Sequence, residues 1–162
     1  VVYSYGSERF LENAAKAGID GLILPDVPYE EKEEFHALCQ QYELDLISMI
    51  APTSENRIAR IASEAEGFLY IVSSLGVTGM RADISTDIGS MVKLVRENTD
   101  IPCAVGFGIS SPEQAAAMAE ISDGAIVGSA IVSMIGTYGK DAAGPVSEFI
   151  RSLADAVHAV KG

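Results

Sequence analysis

Apolar positions along the chain alternate between two textures. Short runs rich in Val, Ile and Leu close on Gly, Pro, Ser or Asp. Longer stretches, with apolar residues at helical spacing, follow them. The short runs predict strands over residues 21–24, 45–50, 67–73, 103–106 and 124–127. They are apolar on both faces, as parallel strands covered by helices must be. Ser7 precedes a helical pattern of Phe10, Leu11, Ala14 and Ala15 that Gly18 stops. Pro28 opens a helix over 29–42, whose first turn carries Glu30, Glu31, Glu33 and Glu34, acids that complement the helix dipole. Ser54 is placed to cap 55–64, and Ser85 or Asp87 to start a helix reaching about Glu97. Ser111-Pro112-Glu113-Gln114 reads as a capping box, and 145–160 as a last amphipathic helix.

The predicted order is one helix and then five βα units in a single domain spanning 1–162. Repeated βα units mean a parallel sheet, either open and doubly wound or closed into a barrel. The first unit is incomplete, and the chain begins Val1-Val2-Tyr3 with neither a Met nor a basic leader. That opening is expected of a fragment or a processed product.

Composition narrows the function classes. A chain of 162 residues that is 48% apolar and 21% charged is long enough and apolar enough for a packed core. It carries no apolar run of membrane-spanning length. A net charge of −12 disfavours nucleic acid and anionic membranes, which need a basic face. A small phosphorylated ligand stays open, because backbone amides and helix N-termini hold phosphate without Lys or Arg. Cys39 and Cys103 match no metal spacing and are expected as buried thiols in a reducing cytoplasm.

In parallel α/β folds functional groups collect at the C-terminal strand ends. Here those ends read Pro25-Asp26-Val27-Pro28, Ala51-Pro52-Thr53, Ser73-Ser74-Leu75-Gly76-Val77-Thr78-Gly79, Gly106-Phe107-Gly108-Ile109-Ser110 and Gly128-Ser129-Ala130. The last three are rich in Gly and hydroxyls and lead toward helix N-termini, a combination suited to phosphate. Asp26 is a lone carboxylate, readable as an Asx-turn or cap. Asp123 reads as a turn residue at the opposite end of the sheet, and Asp83 and Asp87 as solvated loop charge. His36 and His158 fall within helices and read as structural. Tyr70 either lines a barrel interior or is a core tyrosine. No nucleophile–base pair, metal cluster or dinucleotide fingerprint stands out. The residues thus suggest half of a phosphate site without acid–base machinery.

These same segments, with Tyr5-Gly6 before the first helix and Asp123-Gly124-Ala125-Ile126-Val127-Gly128-Ser129-Ala130-Ile131-Val132, resemble the tryptophan synthase alpha subunit family over essentially the whole chain. Ribulose-phosphate epimerases share the architecture but not this combination; they would need His and Asp at strand ends to hold a metal, and no His is placed there. The resemblance implies a parallel (β/α)8 TIM barrel, here an incomplete barrel of about five βα units. It implies a carbon–carbon lyase of tryptophan biosynthesis that cleaves indole-3-glycerol phosphate by a retro-aldol step to indole and glyceraldehyde 3-phosphate. It implies a cytoplasmic heterotetramer with a beta subunit, which holds the pyridoxal phosphate; the alpha chain carries no cofactor or metal. By motif, Gly79, Phe107, Gly108, Gly128 and Ser129 would hold the phosphate. Tyr70 would face the reacting end with Ile126 as an apolar wall, and Thr78 would orient a catalytic aspartate. Asp26 and Pro28 would face the partner. Residues 80–85 would belong to a mobile lid. The family's glutamate and aspartate lie on segments preceding Val1, so this chain alone is expected to be inactive and to expose apolar surface, with self-association, an altered fold or a missing N-terminal segment supplied in trans as the outcome. The alternative is a non-catalytic half-barrel that binds a phosphate ligand or a partner.

Overall fold

The computed structural model describes residues 2–73, 83–106 and 108–161. Its strands are β1 (Gly21–Ile23), β2 (Asp45–Ile50), β3 (Leu69–Val72), β4 (Cys103–Gly106) and β5 (Gly124–Ile126). Its helices are α1 (Val2–Tyr5), α2 (Ser7–Lys16), α3 (Lys32–Gln41), α4 (Glu55–Ser63), α5 (Asp83–Arg96), α6 (Pro112–Ile121), α7 (Ser129–Tyr138) and α8 (Ala143–Lys161). All five expected strands are present, three of them trimmed at their ends. The strands pair in parallel in the order β1-β2-β3-β4-β5. A doubly wound sheet needs a reversal of strand order, and this sheet has none. The arrangement is an arc of barrel wall. β1 pairs with Asp45, Leu46 and Ile47 of β2, whereas β3 pairs with Ser48, Met49 and Ile50. That stagger is how a tilted wall curves.

Register sorts the side chains into two layers. Leu69, Ile71, Cys103 and Val105 point outward and are 0–1% exposed. They join Ile58 and Ile61 of α4, Met91 and Val95 of α5, Met118 of α6 and Leu153 of α8 in the main core. A second core holds Leu11 and Ala14 of α2, Cys39 of α3, and Leu44 and Leu46. Both cysteines are buried free thiols, one in each core. The inner layer contains Ile23, Met49, Tyr70, Val72, Ala104, Gly124 and Ile126, none of which is buried, together with Ile47 and Gly106, which are. Among the described residues, helices cover the outer layer and leave the inner one without helical cover. β1 and β5 are the sheet edges, and Ile19 and Ile23 at the β1 edge are 45% and 39% exposed.

Local departures have local causes. The 29–42 helix is divided: Pro28 leads into a 3-10 turn, Tyr29–Glu31, before α3. α2 is capped by Gly6 and takes Ser7 as its first residue. Ser54 sits at the N-cap of α4 without a side-chain hydrogen bond. Asp83 and Asp87, read as loop charges, lie in α5, which starts two residues before Ser85. The final helix starts at Ala143, ahead of Pro145, where Pro costs little in the first turn. α7 was not expected. Its Ile131, Met134, Ile135 and Tyr138 recur at helical spacing and form one stripe, yet none of its residues is buried. Asp123 is more than a turn residue: its carboxylate accepts the Cys103 N–H at 2.9 Å and pairs with Arg96 at 3.3 Å.

Charged pairs tie α3 and its 3-10 lead to neighbouring segments. Arg57 pairs with Glu30, His36 meets Glu66 at 2.8 Å, and Lys32 meets Glu64 at 3.0 Å. The neighbouring Tyr29 hydroxyl and the Lys32 ammonium hold the Glu64 carboxyl down at about 2, against 4.5 ordinarily. The hydroxyl is enclosed and falls short of hydrogen-bond geometry with any described residue, so the Lys32 contact is the firmer link. A depressed carboxyl stabilises the fold fully above its unfolded pKa, and that contribution disappears as pH falls through the folded value. Acid unfolding followed by circular dichroism therefore includes a loss of stability between pH 4.5 and about 2 that comes from Glu64. A Glu64→Gln variant shows a shallower decline over that window; identical slopes would remove the pair from the acid response.

Candidate active site

The C-terminal rim of the arc gathers the candidate residues. Across the inner layer, Met49, Tyr70, Ala104 and Gly124 are consecutive register partners. One rung nearer the rim stand Val72, Gly106 and Ile126. Tyr70 reaches from the lower rung toward the upper. A Cβ built on Gly106 would lie 2.7 Å from Tyr70 Cζ and closer still to its hydroxyl. Glycine is required here because the tyrosine occupies the space a side chain would need. Ile126 is the register neighbour of Gly106 on the far side, so Tyr70 and Ile126 flank one glycine. Burial pushes the Tyr70 phenol up, which keeps it neutral. Of its two readings, the structure selects the one that lines the barrel interior.

Ser73, directly after β3, is fully buried. Its N–H donates to the Gly106 carbonyl at 2.8 Å and its Oγ donates to the same oxygen at 3.0 Å. β4 then leads to Gly108, which has φ 80°, a left-handed conformation that glycine adopts without strain. The Ser111 hydroxyl accepts the Gln114 N–H at 3.3 Å, as the capping box requires. The reciprocal bond is displaced: Gln114 Oε1 accepts from the N–H and hydroxyl of Ser110, at 2.8 and 3.2 Å. Those bonds brace the connection from Gly108 to α6.

Beyond β5, Gly128 is the N-cap of α7 and Ser129 its first residue, and both are exposed. The first N–H groups of a helix have no partner within it and carry the positive end of its dipole. The structure thus brings Gly108, Gly128 and Ser129 to the ends of two adjacent strands, Gly108 one strand from Tyr70 and Gly128 and Ser129 two. Thr78, Gly79, Phe107 and residues 80–82 of the expected lid lie outside the described residues. Residues 83–85, the rest of that lid, are instead the first turn of α5.

Asp26 and Pro28 are exposed on the same rim, two strands away from Tyr70. A turn closed by Val27 N–H donating to the Leu24 carbonyl at 3.1 Å holds Pro25 and Asp26 at its corner. Beside it opens a cleft of about 400 Å³ lined by Pro28, Tyr29, Met49, Thr53 and Arg57, among others. Among the described residues no group of three or more His, Cys, Asp or Glu could hold a metal ion. Sequence reasoning missed Ser73 and the close approach of Tyr70 to Gly106. Both depend on which residues are paired across strands, for which a single strand gives no signal.

A family model described as tryptophan synthase alpha chain matches residues 1–160. This chain belongs to the tryptophan synthase alpha chain family. The alpha chain of Lacticaseibacillus casei is 40% identical over 161 residues, which cover 99% of this chain and 60% of that one. The alpha chain of Shouchella clausii is 52% identical over 132 residues, covering 82% of this chain and 49% of that one. The solved alpha subunit of Campylobacter jejuni superposes with a TM-score of 0.84 at 31% identity, over 94% of this chain and 60% of its own. A chain of the Pyrococcus furiosus tryptophan synthase a2b2 complex gives 0.82 at 29% identity, over 95% and 63%. The chain therefore spans about half to two thirds of the length of these family members.

The Tyr70–Gly106 packing carries a direct test. Gly106→Ala forces the ring to move and lowers stability by about 1–3 kcal/mol, the usual range for overpacking. In a Tyr70→Ala background the same change costs less, because the clash is gone. Urea midpoints of the four proteins measure both; equal costs in the two backgrounds would show that the ring does not set the requirement.

Proposed function

We propose that the chain forms the phosphate-holding half of a lyase site whose substrate is indole-3-glycerol phosphate. The observation that carries this reading is the pairing of β4 with β5, which puts Gly108 and the Gly128–Ser129 helix start side by side at the rim holding Tyr70. Backbone N–H groups at that helix start suit a phosphate in a chain of net charge −12. Phe107 and Gly79 complete the phosphate set by family motif, and Ile126 supplies the apolar wall for the indole ring. Tyr70, neutral and inward-facing, sits against the reacting end.

In the retro-aldol step the bond between indole C3 and the side-chain carbinol carbon breaks. C3 gains a proton, the carbinol hydroxyl loses one, and indole and glyceraldehyde 3-phosphate result. That exchange needs an acid–base pair, each member worth about 10²–10⁴-fold. The described rim carries no such carboxylate pair. In this reading the pair comes from family segments outside these 162 residues, with Thr78 orienting the aspartate, and the 162-residue chain by itself does not turn over. The chain carries no cofactor. Its partner is a pyridoxal-phosphate beta subunit in the cytoplasm, met through Asp26 and Pro28. The exposure of both residues and the a2b2 assembly of the Pyrococcus furiosus relative support that assignment. No described helix is long and apolar enough to cross a membrane.

Calorimetric titration with indole-3-propanol phosphate, with inorganic phosphate as control, tests the site. Tighter binding of the indole compound is expected, together with lyase turnover below detection. Gly128→Asp is a clean variant: nothing lies within 4 Å of a Cβ at that position, and Asp is a good N-cap. Its carboxylate takes the place of the anion, so binding is lost while the fold is kept. Unchanged affinity would remove Gly128 from the site.

A further inference from the structure

We propose that Ser73 is a positioning residue for the phosphate end of the ligand; the inference rests on the phosphate reading above. Ser73 directly follows Val72, the last residue of β3. The carbonyl it binds belongs to Gly106, two residues before Gly108. One buried side chain therefore stands at the root of the glycine-rich segment that holds Gly108. Its two donors, the N–H at 2.8 Å and Oγ at 3.0 Å, converge on a single oxygen. The backbone bond alone fixes the distance between the strand ends. The second donor restricts rotation of the acceptor peptide, because both lone pairs of the carbonyl are then directed. On the inner side Tyr70 packs over the same Gly106, so the glycine is held from two directions.

Backbone recognition of an anion depends on such restraint. The N–H groups cannot be re-aimed by a rotamer change, so they must be aimed by the chain itself. A hydroxyl that only filled space would be replaceable by a methyl. Ser73→Ala leaves the Gly106 carbonyl with its backbone donor and so creates no orphaned acceptor there, and the fold tolerates it. What it removes is the second restraint on the β4 end.

The test uses the 162-residue chain with Ser73→Ala and with Ser73→Cys, which keeps the shape but donates weakly. Each is titrated with indole-3-propanol phosphate and with indole-3-propanol, and melted to confirm folding. Both variants are expected to bind the phosphate compound roughly 3- to 10-fold more weakly, the scale of one hydrogen bond, while affinity for the alcohol is unchanged. Equal weakening toward both ligands would make Ser73 a general structural residue and overturn the proposal, as would full affinity in both variants. If the unaltered chain binds the phosphate compound no better than the alcohol, the phosphate reading itself fails, whatever Ser73 does.

Discussion

A parallel strand cannot return to its neighbour through a tight turn; the chain must travel back along the strand before the next one starts. Everything in this molecule follows from that constraint. Return paths run through helices, and α2 to α6 and α8 leave apolar residues against the outer layer of the strands, whereas no residue of α7 is buried. Leu69, Ile71, Cys103 and Val105 are sealed in consequence. The same constraint sends every strand in one direction, so all five C-terminal ends meet on one rim. Chemistry there requires no separate scaffold.

Most of the inner layer has no corresponding cover among the described residues. Tyr70, Val72, Ala104 and Ile126 are only half-buried, and α7 holds Val132 at 67% exposure. An arc of five strands has two free edges and a concave apolar face, and both are features that proteins ordinarily hide. Longer members of the family have additional chain available beyond the part this one matches. What stability the arc has comes from its outer side and from ties at the strand roots, such as Asp123 to Cys103.

At the rim the decisive residue is Gly106. It has no side chain, yet its carbonyl takes two donors from Ser73 and its α-carbon face receives Tyr70. A strand end held this firmly can present backbone groups to a ligand without reorganising them. The neutral Tyr70 and the uncapped start of α7 then supply an apolar contact and a positive dipole without any formal charge, which suits a strongly acidic chain.

Hydrophobic period and turn residues were enough to locate all five strands, most helices, the Ser111 cap and the glycine-rich strand ends, because each is a property of contiguous residues. The order of the ends along the chain also pointed to phosphate, since Gly108, Gly128 and Ser129 each stand just past an apolar run. Other features belong to no contiguous segment. α7 is an exception: Ile131, Met134, Ile135 and Tyr138 stand at helical spacing, so its existence was legible locally, and only the lack of burial along that stripe belongs to the tertiary structure. Whether the sheet was open or curved, which face of Tyr70 mattered, and why Gly106 must be glycine were settled by register: Tyr70 with Ala104, Val72 with Gly106, Gly106 with Ile126. Local sequence determines which residues form a strand; only tertiary pairing decides which of them meet, because the contacts that fix a rung lie 20 to 34 residues apart along the chain.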